Sequence, residues 1–129
     1  MKKLLILTGI SGAVAVILGA FGAHALSEHL TGSQLNTYDI ASKYHFYHTL
    51  AILGTALLYA NTDKRYIKWA GYAFSIGIIL FSGSLYLLAC KDMLQLGGWT
   101  KIIGPVTPIG GLFFIIGWLL LVLSQMKNT

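Results

Sequence analysis

An all-α integral membrane protein, a four-transmembrane-helix bundle with both termini on the inner side, is the architecture these 129 residues predict. Three observations lead there. Charge is scarce: 10% of residues are charged and 56% are apolar, and the mean hydropathy of +0.72 exceeds what a soluble core of this size requires. Four charge-free runs, residues 4–23, 44–60, 69–90 and 109–124, approach or exceed the roughly 20 residues that a helix needs to cross about 30 Å of hydrocarbon. The nine Lys and Arg residues stand singly or in short clusters at the ends of those runs, so the net charge of +5 reads as a topology signal toward anionic headgroups. No basic patch suited to nucleic acid is formed.

The expected spans cover about residues 4–26, 44–61, 66–90 and 107–125 within a single domain, 1–129. Span one opens on Met1-Lys2-Lys3 and closes near Ala23-His24-Ala25, which also suits a cleaved signal peptide. Its apolar run, 4–23, is longer than the ~7–15 residues typical of such peptides. Ser11, Ala15, Gly19 and Ala23 recur at helical spacing, with Gly12 and Gly22 close to the same side, so a retained helix with a close-packing face is expected.

Thr31-Gly32-Ser33-Gln34 fits a capping box, in which hydroxyl and amide satisfy free backbone groups at a helix start. Leu35, Tyr38, Ala41, His45 and His48 follow at three- or four-residue spacing and predict a short interfacial helix between spans one and two, running into span two. The polar turn at 61–65 makes spans two and three an antiparallel hairpin. After span three, Lys91-Asp92 leaves the membrane and Leu94, Leu96 and Trp99 suit the headgroup region. Gly104-Pro105 then breaks the backbone, which at membrane depth must be buried in protein or line a wet cavity. Thr107 as N-cap and Pro108 at the first helical position begin span four.

Orientation follows from the basic residues. With the N-terminus inside, Lys2, Lys3, Lys64, Arg65, Lys68 and Lys127 lie inside against Lys43, Lys91 and Lys101 outside, so both termini are expected in the cytoplasm. Trp69 then marks the inner interface and Trp99 the outer. The expected location is a cell membrane, crossed several times.

Polar side chains gather toward the outer ends of the spans. His24, Tyr44, His48, Ser82, Ser84, Tyr86 and Thr107 form a candidate lining for a small molecule, a lipid headgroup or a partner membrane protein, because polar groups at membrane depth face a protein interior or a cavity. The same groups can instead bond one another and hold the helices together. Transport by an oligomer is the competing functional class, although the spans hold no acidic residue to couple ions. His24, His45 and His48 could supply three imidazoles to zinc or copper, and His24 with His48 could ligate haem, yet no Cys or carboxylate stands at a ligand spacing. Cys90 is the only cysteine, so an intramolecular disulfide is excluded. No nucleophile elbow or charged triad is visible, and neither enzymatic activity nor a cofactor is expected. The expected partners are membrane lipids and a second copy of the chain or another membrane protein.

Four motifs carry a family resemblance. Gly19-Ala20-Phe21-Gly22-Ala23-His24-Ala25-Leu26, Tyr44 with His48-Thr49-Leu50-Ala51-Ile52-Leu53-Gly54, Phe81-Ser82-Gly83-Ser84-Leu85-Tyr86 and Thr107-Pro108-Ile109-Gly110-Gly111 occur in order along nearly the whole chain. The set resembles the family of short four-helix membrane proteins known as a domain of unknown function, whose eukaryotic relatives are called transmembrane protein 256. The resemblance implies a four-span protein, in bacteria of the cytoplasmic membrane, whose first segment is a span, without an established activity. The family pattern often has glutamine where this sequence has His45.

Overall fold

The computed structural model describes residues 1–61 and 64–126, and within them every regular element is helical. Helix α1 (Lys2–Phe21) passes directly into a π-helical turn at Gly22–Leu26, and α2 (Gly32–Leu58) is one unbroken helix. A second π-helical turn, Ile78–Ser82, joins α3 (Lys64–Gly77) to α4 (Gly83–Ala89) in a continuous rod. A 3-10 turn at Gly97–Trp99 and the short α5 (Thr100–Ile103) lead to α6 (Val106–Met126). The turn expected at 61–65 lies partly outside the described residues, and Lys127 lies wholly outside them.

Three helical stretches, Lys2–Leu26, Arg65–Ala89 and Gly97–Met126, are long and apolar enough to cross a membrane. Helix α2 has 27 residues, about 40 Å at 1.5 Å per residue, but it is more polar. Its polarity is turned inward: His45, His48, Thr49 and Thr55 are all buried. The outer surfaces of the other helices are apolar instead, with Ile10, Val16, Ile17, Ile79, Leu119 and Val122 exposed, as a hydrocarbon solvent permits.

The capping box is present as expected: Thr31 Oγ1 accepts from the Gln34 amide and Gln34 Oε1 accepts from Thr31 N–H. Gln34 also donates through its side chain to Asp92 at 2.6 Å, tying the start of α2 to the segment leaving α4. Two expectations are corrected. The short interfacial helix is not a separate element, because the capping box starts α2 itself and nothing interrupts the helix between Gly32 and Leu58. Thr107 is not an N-cap, because α6 begins at Val106 and the Thr107 hydroxyl turns to Ser84. Pro108 still falls in the first turn, where its missing N–H leaves no helix bond unmade.

The expected stripe on α2 is buried from Tyr38 through Ala41, His45 and His48, and continues through Ile52 and Thr55. α1 packs against α2, α2 against the α3–α4 rod, and the rod against α6. The main core joins Leu4, Ile52, Ala56, Ala70, Phe74, Ile78 and Phe114; a second cluster of Leu26, Leu30, Tyr38 and Ala89 lies toward the start of α2. Small residues set the distances. A Cβ on Gly110 would stand 2.2 Å from the Phe81 backbone nitrogen, so α6 and the π-helical turn meet backbone to backbone, and Gly77 and Gly117 receive the rings of Phe114 and Phe74.

Gly110→Ala is therefore expected to lower stability by about 1–3 kcal/mol, since backbone cannot yield as a side chain can. Gly54→Ala, whose Cβ meets nothing within 4 Å, is expected to be neutral or slightly stabilising. Thermal unfolding of the two variants in the same detergent checks the contrast.

Candidate functional site

A cleft of about 370 Å³ opens between α1 and the α3–α4 rod, with α2 behind it. Leu7, Ile10, Val14 and Leu18 wall one side and Ile78, Ile79 and Gly83 the other. Ile10 and Ile79 are largely exposed, so the cleft opens onto the apolar outer surface. At one end Leu4 packs on Gly71 and bridges α1 to α3; toward the other, Tyr38 fills the space over Gly22 and packs with Leu26 and Ala89. Gly83 contributes room, because a Cβ there would find only the Ile78 carbonyl, at 4.0 Å.

The polar lining comes from Ser11 on α1, His45 on α2, Ser75 on α3 and Tyr86 on α4. His45 Nδ1 lies 3.0 Å from Tyr86 Oη on α4, and its Nε2 lies 3.2 Å from Ser11 Oγ on α1. Ser11 Oγ is 2.6 Å from Thr49 Oγ1, and Thr49 donates to the His45 carbonyl at 2.8 Å. A carbonyl only accepts, so the Thr49 proton is spent there and Ser11 must donate to Thr49. Ser11 is then left to accept from His45 Nε2–H, and His45 Nδ1 accepts from the Tyr86 hydroxyl. The result is a directed chain, Tyr86 to His45 to Ser11 to Thr49.

His48 sits one turn further on and turns toward α6. Its Nδ1–H donates to the Tyr44 carbonyl at 2.8 Å and its Nε2 accepts from Trp118 Nε1–H at 3.2 Å. The ring stacks on Phe114 with centroids 3.6 Å apart and planes 8° apart, while Phe74 and Trp118 meet each other edge to face at 4.9 Å. Tyr44, partly exposed, packs against Phe81 at 5.0 Å. Both His48 nitrogens are thus engaged within the protein.

The remaining expected residues divide. Ser84 donates to the Phe81 carbonyl at 2.9 Å and so accepts from Thr107 at 2.6 Å, which links α4 to the start of α6. Ser82 is fully buried in the π-helical turn and its hydroxyl has no partner among the described residues. His24 is exposed and stands apart from the others. The 3.6-residue period accounts for this: a strict four-residue stripe through Ser11, Ala15 and Gly19 drifts around the helix, so Gly22 and Leu26 face inward while Ala23 and His24 face out. The seven expected residues therefore do not form one lining. Tyr44 joins His48, Ser84 joins Thr107, and Tyr86 joins His45.

The three imidazoles offered to a metal are separated in the same way. Among the described residues no three His, Cys, Asp or Glu side chains gather closely enough to share an ion. Ser11 and Thr49 entered the sequence reading only as a packing position and as part of a motif. The available signal was the four-residue offset between His45 and Thr49, which places the Thr49 hydroxyl over the His45 carbonyl.

These features describe a small helical membrane protein that turns its few polar side chains toward one another and its apolar ones outward. The chain belongs to the family described as protein of unknown function (DUF423), whose match covers residues 18–111. It is 39% identical to the UPF0382 membrane protein SSP2132 of Staphylococcus saprophyticus, over 98% of this chain and 99% of that one. It is 37% identical to the UPF0382 membrane protein YwdK of Bacillus subtilis, over 98% of both chains. The UPF0382 inner membrane protein YgdD of Escherichia coli is 36% identical, over 98% of this chain and 91% of the relative. No solved structure matches the chain.

Trp118→Phe is expected to cost about 1–3 kcal/mol, because it strips the buried His48 Nε2 of its donor. Adding His48→Phe removes the orphaned nitrogen and should recover part of that loss. A double-mutant cycle on unfolding in detergent measures the coupling.

Proposed function

We propose that this protein binds a membrane-dissolved lipophilic small molecule in the cleft between α1 and the α3–α4 rod. The observation that carries the reading is the combination of an apolar cleft open to the outer surface with a polar wall of Ser11, His45 and Tyr86. Its volume lies at the low end of the roughly 300–1,000 Å³ of small-molecule sites. Apolar walls hold a hydrocarbon body, and a few fixed polar groups orient it.

The proposed setting is a four-span arrangement with both termini in the cytoplasm. The six inner basic residues against three outer ones support the orientation. The length of α2, and the burial of its histidines and threonines against its neighbours, support a fourth span despite its lower hydropathy. Ser11 then lies near mid-depth, ten residues along a helical stretch that starts at Lys2 and ends at Leu26. The occupant would enter sideways from the bilayer. Closure of the cleft by Leu4 against Gly71 and Thr55 favours binding over passage.

Mass spectrometry of protein gently extracted from native membranes is expected to find a co-purified lipophile, and Gly83→Leu, which places a side chain in the open cleft, should lose it. Retention of the same species by Gly83→Leu would sink the reading. Cysteines introduced along 9–16 and 71–78 should stay closed to a water-soluble thiol reagent, whereas labelling of a complete helix face would favour transport by an oligomer.

A further inference from the structure

We propose that the occupant of the cleft is a single-chain, uncharged lipophilic alcohol, recognised through its hydroxyl proton. This rests on the cleft being a binding site and adds the direction in which the recognising hydrogen bond runs.

Among the described residues four polar side chains line the cleft: Ser11, His45, Ser75 and Tyr86. Every donor among them is committed. Ser75 donates to the Gly71 carbonyl at 2.8 Å. Tyr86 donates to His45, His45 Nε2–H to Ser11, and Ser11 to Thr49, whose own proton goes to the His45 carbonyl. What the lining still offers is lone pairs. A hydroxyl oxygen can accept twice, so Ser11 keeps one position beyond its bond from His45, and the Ser75 oxygen on the opposite wall keeps its own.

An occupant that brings only acceptors, such as a ketone, ester, ether or quinone, would set lone pair against lone pair. A hydroxyl brings the proton that the lining lacks. Among the described residues no Lys, Arg, Asp or Glu lines the cleft, so a phosphate or carboxylate head would be buried without a counter-charge. The modest volume suits one hydrocarbon chain better than the two of a phospholipid.

The test compares farnesol with farnesyl methyl ether, the same chain without the donor, titrated into the purified full-length protein and read by native mass spectrometry. The wild-type protein is expected to prefer farnesol by roughly tenfold, the scale of one buried hydrogen bond that is made or left unmade. Ser11→Ala removes the acceptor and releases His45 Nε2–H toward the cleft, so the preference should vanish or reverse in favour of the ether. His45→Gln can keep a donor toward Ser11 and an acceptor toward Tyr86, and should keep the preference for the alcohol. Gly83→Leu should weaken both ligands. Equal binding of the two by the wild type, with both lost in Gly83→Leu, overturns the donor rule and leaves the cleft as a site. An unchanged preference in folded Ser11→Ala, judged by its helical circular dichroism, also overturns it. Binding of neither ligand, or of both regardless of Gly83→Leu, overturns the cleft itself.

Discussion

Two imidazoles on α2 must find partners away from water, and the positions of the neighbouring helices answer to them. An unpaired polar group in an apolar interior costs more than most single packing contacts return. His45 reaches α1 through Ser11 and α4 through Tyr86; His48 reaches α6 through Trp118 and stacks on Phe114. One helix therefore binds three others through directed bonds, while the apolar contacts around it are tolerant of sliding. The inward polarity of α2 and its low hydropathy have the same cause.

Glycine contacts and π-helical turns then shape what the hydrogen bonds hold together. Gly110 lets α6 touch the backbone of the turn at Ile78–Ser82, and Gly77 and Gly117 admit aromatic rings, so the rod lies tightly on α6. No comparable seam joins α1 to the rod, since Leu4 on Gly71 bridges them only at one end and Tyr38 over Gly22 fills the other. The space between is the cleft. Its polar wall is not an addition to the fold but one side of the network that positions α1.

Much of the candidate site could be read in advance and some could not. Tyr86 and His48 were placed on polar, interior-facing ground because polar side chains at membrane depth seek an interior. Their assignment to one shared lining failed because His45 and His48, three residues apart, turn toward different neighbours on either side of α2. Ser11 looked like one more small residue in a packing stripe, since a serine and a glycine serve equally well for close approach; only its partners distinguish it. His24 was placed by its position at the end of span one rather than by its face: the helical stripe of Ala15, Gly19, Gly22 and Leu26 leaves it on the outer side.

Composition and periodicity by themselves determined that the chain is helical and membrane-like, where α2 is capped and which of its faces is buried. These follow from local rules: apolar length, a capping box, and the three- or four-residue spacing of Tyr38, Ala41, His45 and His48. Only the tertiary structure decided which polar groups meet and which way their protons point. Hydrogen-bond direction depends on every partner in a chain at once: the bond that commits Thr49 to the His45 carbonyl is local to α2, but it sets the direction at Ser11, His45 and Tyr86 only once α1, α2 and α4 are packed.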